Sequence, residues 1–575
     1  MSRLLRINTK DKTFAFSDMG PYSGMGGRAL TSRIVSREVP PTCHPLGAKN
    51  KLVIATGMIT GRPAGSSGRL SVGAKSPLTG GIKESNVGGS FAQRLARLDL
   101  MGIVLENQPA YGSAPCYIVL GKDGVTFEDA SDMQYLGTYD TVKRLMDKYG
   151  EKSSVLCIGP AGETLRQNAS IQVADPEGRP ARAAGRGGMG AVLGSKAIKA
   201  IVIVETGEAP PIVDKEAFKA ASKRWVEIIK GHPVTAEGLP GFGTAVLVNV
   251  INEAGALPTK NFREGRFEFA KDISGERMVE IIKERGGKVK EGCHAGCIIQ
   301  CSQAYHGPDG KYLTSGFEYE TIWGFGANLL VKDYDQMAML DRLCDDLGLD
   351  TIETANTMAM LMEAGVLNWG DGAAAIEALK QVYDPKNPMG RIIGGGAEYT
   401  AKAYGVTRVP TVKGQSLPAY DPRAVKGVGV TYCTTPQGAD HTAGYSVCQN
   451  ILGVGGKVDP LDKAGQVELS KALQIATAAI DATGFCLFVA FPVLDTADGV
   501  QCMCDMITAA SGSPFHPEDF LKLGRTILQD EFAFNQAAGF TSAHDQLPEF
   551  FEEPLAPHNV TWDFTAAEMQ AVKAM

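Results

Sequence analysis

Three cysteines stand four residues apart in the segment "EGCHAGCIIQCSQ" (291–303), at Cys293, Cys297 and Cys301. Thiolates this close together are typical of an iron–sulfur cluster, and a 4Fe-4S cluster takes four of them. The alternative is a buried helical stripe, because residues i, i+4 and i+8 share a helix face and free cysteine is often buried. Gly292 and Gly296 weaken the helix. The spacing therefore favours a cluster and leaves a fourth ligand to be found.

An internal repeat supplies a candidate for that ligand. The two copies are Asp345-x-x-Gly348-Leu349-Asp350 and Asp481-x-x-Gly484-Phe485-Cys486. Each follows a helical run, and glycine suits the left-handed position just past a helix C-terminus. Asp350 and Glu353 then resemble a capping box for a following helix. D-x-x-G alone is a common helix stop, but two matching copies predict two acidic corners, and Cys486 brings the thiols to four.

The elements that must position these residues fall into two kinds. Short β-rich runs predict strands at 51–57, 69–75, 101–107, 116–121, 154–159 and 197–205, with a helix at 139–150. Helical periodicity follows at 215–230, 275–285, 333–347, 351–364, 372–383, 462–482 and 517–538. Composition breaks fall at 206–214 and 404–423.

This pattern predicts an α/β (α+β) N-terminal sheet domain followed by two mainly α-helical domains. The predicted boundaries are 1–207, 208–408 and 409–575. The second domain would carry the cysteine trio and the first acidic corner. The third would carry the second corner and Cys486.

Composition excludes several classes of function. The formal net charge is −7, whereas a nucleic-acid-binding domain needs a basic surface. The apolar stretch that begins at Gly484 is about half the ~20 residues of a membrane span. The first residues lack the apolar region of a secretion signal. We therefore expect a cytoplasmic protein whose twelve cysteines stay reduced or bind metal, with no nucleic-acid partner and no membrane span.

Ordered motifs in all three parts resemble one family. They are "SGRLSVGAKSPLTG" (67–80), "ESNVGGSF" (84–91), "RAAGRGGMGAVLGSK" (182–196), "PTKNFREG" (258–265), "EYETIWGFG" (318–326) and "GADHT" (438–442), with the trio and the repeat. Together they resemble the aldehyde ferredoxin oxidoreductase family of tungsten enzymes. The resemblance implies a tungsten (or molybdenum) bis-pyranopterin, one 4Fe-4S cluster and a Mg²⁺ ion bridging the pterin phosphates.

The resemblance also implies roles for individual residues. Asp345 and Asp481 would each hold one pterin, since a carboxylate accepts the paired N–H donors of its edge. The Asn86 side chain and the Ala183 carbonyl would bind Mg²⁺, Arg182 a phosphate, and Arg69 would lie between cluster and pterin. The glycine-rich loop offers backbone amides for a phosphate through Gly185, Arg186, Gly187, Gly188 and Gly190.

The implied reaction oxidises an aldehyde to a carboxylic acid. Glu320, in preference to Glu318, would act as general base, with a pKa raised by burial. His441 would donate a hydrogen bond to the substrate oxygen. Electrons would pass by Arg69 and the cluster to a ferredoxin or an iron–sulfur partner subunit. The basic residues that precede the cluster form a candidate docking patch: Lys283, Arg285, Lys288 and Lys290.

Three other functions remain open at this point. Cys433 lies close in sequence to His441, and a thiol near the metal would fit the benzoyl-CoA reductase-like dearomatising branch of the family. A radical S-adenosylmethionine enzyme would need the pattern C-x3-C-x2-C, which this chain does not have. Its cysteines follow C-x3-C-x3-C, whereas the commoner spacing in the family is C-x2-C-x3-C. An electron-transfer subunit without catalysis would not need Glu320 and His441. The aldehyde, the metal and the choice between homodimer and hetero-oligomer are not fixed by the sequence.

Overall fold

Two six-stranded sheets form the N-terminal part of the chain. A computed structural model describes residues 3–122 and 124–574. The first sheet contains, in spatial order, Thr13–Asp18, Arg3–Asn8, Leu100–Glu106, Leu52–Thr56, Leu70–Lys75 and Ile82–Val87. The second contains Gly124–Asp129, Cys116–Gly121, Ile198–Ile203, Ser154–Cys157, Ile171–Val173 and Arg182–Ala184. Buried aliphatic side chains from both sheets form one core, for example Ile103 and Ile201.

The two sheets are copies of one topology. In the spatial order given above, the first and second strands of each sheet are antiparallel. The second and third strands are parallel, and all later neighbours are antiparallel. A helix follows the opening hairpin in both copies, at Gly27–Glu38 and at Thr138–Tyr149. The N-terminal domain is therefore an internal duplication over roughly 3–106 and 116–203. This duplication was not predicted from the sequence, because the two halves share a chain path and no obvious motif.

Helices dominate the rest of the chain, as predicted. Their bounds are Lys215–Gly231, Leu247–Glu253, Gly275–Glu284, Tyr319–Phe325, Tyr334–Leu347, Thr351–Glu363, Gly372–Lys380, Pro388–Gly394, Ala397–Tyr404, Lys426–Thr434, Gln466–Thr483, Ala490–Asp495, Gly499–Ser511, Pro517–Ala537 and Ala566–Lys573. The fold class and the predicted strands and helices are confirmed to within a few residues. The domain boundaries at 207 and 408 stay predictions.

The cysteine region adds a small sheet to the mainly helical second domain that the sequence predicts. A three-stranded antiparallel sheet of Lys288–Glu291, Ser302–His306 and Tyr312–Ser315 surrounds the trio. Residues 292–300 between the first two strands are turns without a helix. The helical-stripe alternative for the three cysteines is therefore wrong, because no helix places them on one face.

One stretch, Val234–Glu253, is long and apolar enough to cross a membrane by length and composition, with a mean hydropathy of 1.3. It is divided into successive short helical segments at Gly238, Phe242 and Val246. Core helices of soluble proteins can have the same length and apolar composition.

Candidate functional site

The two acidic corners have the predicted backbone. Gly348 ends the helix Tyr334–Leu347 at φ +71°, and Gly484 ends the helix Gln466–Thr483 at φ +95°. Only glycine adopts such left-handed values without strain. Asp350 caps the next helix through Ile352 N–H at 2.9 Å. The predicted capping box also required Glu353 to accept from the Asp350 backbone N–H, and this part is wrong. The Glu353 carboxylate accepts instead from the backbone N–H groups of Ala397 and Ser416.

Each corner is clasped by one copy of the duplicated sheet. The strand Leu52–Thr56 is followed by Gly57, where a Cβ would overlap the backbone of Gly484. The equivalent strand Ser154–Cys157 is followed by Gly159, where a Cβ would overlap the Leu347 carbonyl. The duplicated domain therefore presents two similar cradles, and the two corners seat in them by direct backbone contact.

The start of one duplicated helix completes each cradle. At the second corner a Cβ on Gly27 would overlap the Asp481 carbonyl. At the first corner a Cβ on Gly137 would overlap the Asp346 carboxylate, and Thr138 Oγ1 donates to the Asp345 carbonyl at 2.8 Å. Each aspartate is thus held in place by its backbone, which leaves its side chain available to the space between the cradles.

That space is a cavity of about 410 Å³ lined by both corners. It brings together most of the predicted site residues: Arg69, Asn86, Arg182, Ala183, Gly185, Arg186, Cys293, Cys297, Cys301, Glu320, Asp345, Leu349, Asp350, His441, Asp481 and Cys486. Residues from the two sheets, the small sheet and the helical domains meet here.

Six predicted residues lie outside this lining. Gly348 and Gly484 shape the corners, and Phe485 packs its ring 4.7 Å from that of Trp225. Gly187, Gly188 and Gly190 are packed against Lys83, Gln167 and Ser170, where a Cβ would overlap its neighbour. Close packing therefore accounts for these three glycines, and the loop reaches the cavity with Gly185 and Arg186 only.

The four cysteines of the predicted cluster line one end of the cavity. Cys293 and Cys297 lie together, and a hydrogen bond from Cys297 lowers the pKa of Cys293. Burial raises the pKa of Cys301, with further contributions from the nearby Cys293 and Cys486. Cys486 lies beside the trio although about 185 residues separate it from Cys301 in the sequence. Its backbone N–H donates to the Ser66 carbonyl at 2.8 Å, and Ser66 N–H in turn donates to the carbonyl of Gly296, inside the trio.

Arg69 lies between these thiols and the corners. Its Nε donates to Asn86 Oδ1 at 2.6 Å. A Cβ on Gly88 would contact both the Arg69 guanidinium, at 3.1 Å, and Cys293 Sγ, at 3.0 Å. The Arg69 guanidinium therefore has both the Asn86 carboxamide and the Cys293 thiol as neighbours.

The carboxylates of the two corners have different environments. Arg28 Nη1 lies 3.4 Å from Asp481, and Arg28 also pairs with Glu531 through two bonds of 2.8 and 2.9 Å. Burial raises the pKa of Asp481 to about 6, although Arg28 acts in the opposite direction. Asp345 has no cation within 4 Å in the described chain, and burial together with Asp341 raises its pKa well above the ordinary value.

Glu320 and His441 meet in the same cavity. Burial raises the pKa of Glu320 to about 8, partly offset by the Ala419 N–H that donates to Oε2 at 2.9 Å. Burial lowers the pKa of His441 to about 4. His441 Nε2 is 3.3 Å from Glu320 Oε1. Glu320 Oε1 and His441 Nδ1 are both buried without a hydrogen-bond partner, so each is available to a ligand in the cavity.

Sequence reasoning missed several polar residues of the lining. Lys83 pairs with Asp440 at 2.8 Å and holds the pKa of that carboxyl well below its usual range, against the effect of burial. Burial and the nearby Asp481 raise the pKa of Glu84 to about 8. Lys83 lies just before the motif "ESNVGGSF" and Glu84 begins it. The four inner residues of their strand, Ile82–Val87, are all polar, and this polar run between two apolar residues was the available signal.

Profiles of known families match almost the whole chain. The profile described as "Aldehyde ferredoxin oxidoreductase, N-terminal domain" matches residues 4–205, and the profile described as "Aldehyde ferredoxin oxidoreductase, domains 2 & 3" matches residues 220–571. The chain belongs to the aldehyde ferredoxin oxidoreductase family. The family and enzyme class expected from the motifs are thus confirmed.

Relatives within the aldehyde ferredoxin oxidoreductase family are similar over nearly their full length. The tungsten-containing aldehyde ferredoxin oxidoreductase of Pyrococcus furiosus is 37% identical over 96% of this chain and 92% of its own. The enzyme of the same name from Thermococcus kodakarensis is 36% identical with the same coverage. A WOR-like subunit of an aliphatic sulfonate oxidoreductase from Pyrococcus furiosus is 26% identical over 88% of this chain and 80% of its own.

A solved structure shares the fold at much lower identity. The active-site complex BamBC of benzoyl coenzyme A reductase superposes with a TM-score of 0.81 at 18% identity, over 99% of this chain and 93% of that chain. Cys433, which motivated the dearomatising alternative, is buried among Val430, Met569 and Val572 and does not line the cavity. The sequence-based argument for that alternative is therefore removed.

Proposed function

We propose that this protein is a cytoplasmic enzyme that oxidises aldehydes to carboxylic acids, RCHO + H2O → RCOOH + 2 H⁺ + 2 e⁻. It would use a tungsten bis-pyranopterin, one 4Fe-4S cluster and a Mg²⁺ ion, with a ferredoxin or an iron–sulfur subunit as electron acceptor. One observation carries this proposal. A single cavity is lined by both acidic corners, by the Glu320–His441 pair and by the four cysteines.

The lining fits a large polar cofactor. Six buried side-chain atoms of lining residues have no hydrogen-bond partner: Asn86 Nδ2, Glu84 Oε1, Arg182 Nε, Gln437 Nε2, Glu320 Oε1 and His441 Nδ1. Leaving each such atom unsatisfied costs about 1–3 kcal/mol, so the site calls for a ligand that supplies donors and acceptors. Asp345 and Asp481 would each hold one pterin, and Asn86 and Ala183 would hold Mg²⁺ with oxygen atoms, as this ion prefers. Arg182 and the Gly185–Arg186 backbone would contact the phosphates.

When bound, the tungsten cofactor would accept two electrons and the cluster would pass them on singly. Glu320 would take the proton of the attacking water at its carboxylate, and a pKa of about 8 makes the ionised form a stronger base than an ordinary carboxylate. His441, neutral at that pH, would donate from Nδ1 to the substrate oxygen and stabilise its developing negative charge.

Electrons would leave beside the cysteine end of the cavity. The docking patch predicted there is reduced to three lysines, because Arg285 is paired with Asp335 at 2.5 and 3.0 Å. Lys288 and Lys290 lie on the exposed edge strand Lys288–Glu291. We expect the triple variant Lys283→Ala/Lys288→Ala/Lys290→Ala to slow reduction of a ferredoxin at least several-fold and to leave reduction of benzyl viologen unchanged. Steady-state assays with both acceptors check this. Equal loss with both would remove the docking role.

Elemental analysis of the anaerobically purified protein tests the proposed function, together with an assay of an aldehyde panel with viologen. About one tungsten and four irons per chain are expected, with viologen reduced only when an aldehyde is present. Molybdenum in place of tungsten would correct the metal alone. Iron without tungsten or molybdenum, and no activity with any aldehyde, would identify an electron-transfer protein instead.

A further inference from the structure

A histidine stands inside the cysteine trio, at the point where this chain is one residue longer than the family's commoner spacing. His294 follows Cys293 directly, and its side chain is turned inward with 2% of its surface exposed. A ring nitrogen of His294, Cys293 Sγ and Cys297 Sγ all lie within 4.8 Å of one another. Three atoms that can ligate a metal are therefore gathered where the proposed cluster needs two.

The ring is oriented as a metal-ligating histidine is oriented. Nδ1 lies 3.0 Å from the Ala295 carbonyl, and because a carbonyl only accepts, Nδ1 carries the proton. Nε2 therefore has a free lone pair, and it is buried without a hydrogen-bond partner. Metal-ligating histidines characteristically donate from the other ring nitrogen to a carbonyl or carboxylate, which fixes the tautomer. The ring also packs against Gly68, where a Cβ would overlap it, so the backbone next to Arg69 makes room for it.

Cys297 is the thiol that His294 can replace. It is partly exposed, whereas Cys293 is buried, and its Sγ accepts a hydrogen bond from the Gln300 N–H at 3.4 Å. A four-iron cluster has one terminal position for each iron. Five donors are available for these positions: the four cysteines that line the cavity, and His294, which lies within 4.8 Å of two of them.

We propose that His294 Nε2 and Cys297 Sγ are alternative ligands of one iron of the cluster. The inference rests on the proposed function, which places a cluster at these cysteines. In the exchange the iron–sulfur bond to Cys297 breaks, the bond from Nε2 to iron forms, and the released thiolate takes one proton from solvent. No atom changes its oxidation state. Exchange of an anionic thiolate for a neutral imidazole raises the reduction potential of an iron–sulfur centre.

Cysteine-to-alanine variants with matched positions test this proposal. We expect Cys297→Ala to keep about the iron content of the wild type, because His294 fills the vacant position. Cys301→Ala, which has no such neighbour, is the control and should lose iron. The double variant His294→Ala/Cys297→Ala should lose iron as Cys301→Ala does, whereas Cys297→Ala/His306→Ala should keep it.

Spectroscopy of the reduced cluster identifies the ligand independently of activity. Pulsed electron paramagnetic resonance of Cys297→Ala should show a strong nitrogen coupling that changes when the protein is labelled with ¹⁵N-histidine, and the midpoint potential should be more positive than that of the wild type. Loss of iron from Cys297→Ala, or a retained cluster without histidine-nitrogen coupling, would overturn the proposal. A wild-type protein without iron would instead overturn the proposed function on which it rests.

Discussion

Replacing Glu320 with glutamine is expected to lower kcat for aldehyde oxidation by about 10²–10⁴-fold, the usual contribution of a general base. The amide keeps the size of the side chain and its acceptor oxygen for the Ala419 N–H, so the cavity should keep its shape. It cannot take a proton from water. Steady-state kinetics with a small dye as acceptor measure the loss, and elemental analysis shows that the metals are retained.

The pH dependence separates a proton-accepting role from a structural one. Burial raises the pKa of Glu320 to about 8, so the carboxyl is protonated and inactive as a base below that pH. The kcat/KM of the wild type should rise tenfold per pH unit towards about 8 and then level off. The Glu320→Gln variant should lack this rise.

Glu318→Gln is the matched control. Glu318 is also buried in the lining, but it accepts from Thr244 at 2.6 Å and lies on the cysteine side of the cavity. We expect a much smaller loss of kcat. Equal losses in the two variants, or an unchanged pH profile in Glu320→Gln, would contradict the assignment of Glu320 as the base.

Removing the Arg28 side chain is expected to destabilise the fold by about 3–5 kcal/mol, the cost of leaving a buried charge without its partner. Arg28 and Glu531 are 2% and 0% exposed, and Arg28 also neutralises Asp481. Arg28→Met keeps the length of the side chain and leaves the Glu531 carboxylate uncompensated. Urea unfolding followed by circular dichroism measures the change.

Two further variants control for side-chain loss at this position. Arg28→Met/Glu531→Gln should recover part of the stability, because the stranded charge is removed as well. Arg33→Met breaks a more exposed pair with Asp530 and should cost about 1 kcal/mol or less. If Arg28→Met costs no more than Arg33→Met, the buried pair does not anchor the second corner.

The pair also sets a pH dependence of stability. Arg28 lowers the pKa of Glu531 although burial acts in the opposite direction. A carboxyl with a lowered folded-state pKa contributes stability above its unfolded pKa and loses it as the pH falls through the folded value. The difference in stability between wild type and Arg28→Met should therefore shrink in acid.

Features encoded in short segments could be predicted from the sequence. The acidic corners followed from helix-ending glycines such as Gly348, and the cysteine trio from its spacing. The role of Cys486 depended on noticing that a second corner ended in cysteine. These signals are local, so a single sequence contains them.

Features that depend on distant partners could not be predicted. Arg28 meets Glu531 across 503 residues, and Lys83 meets Asp440 across 357. A basic residue in a strand or helix gives no sign of which carboxylate will reach it. The duplication of the sheets was hidden for a related reason: hydrogen-bonded order is a property of the folded chain, and different side chains can satisfy it.

The contacts of Gly57 and Gly159 with the corner backbones affect which residues of this fold can be substituted. Where Gly57 and Gly159 touch the corners, main chain meets main chain and no side chain contributes to the fit. Substitutions elsewhere can accumulate without disturbing the junction, provided that these few positions keep a bare Cα. The fold as a whole tolerates extensive substitution, since it is shared at a TM-score of 0.81 with a structure that is 18% identical.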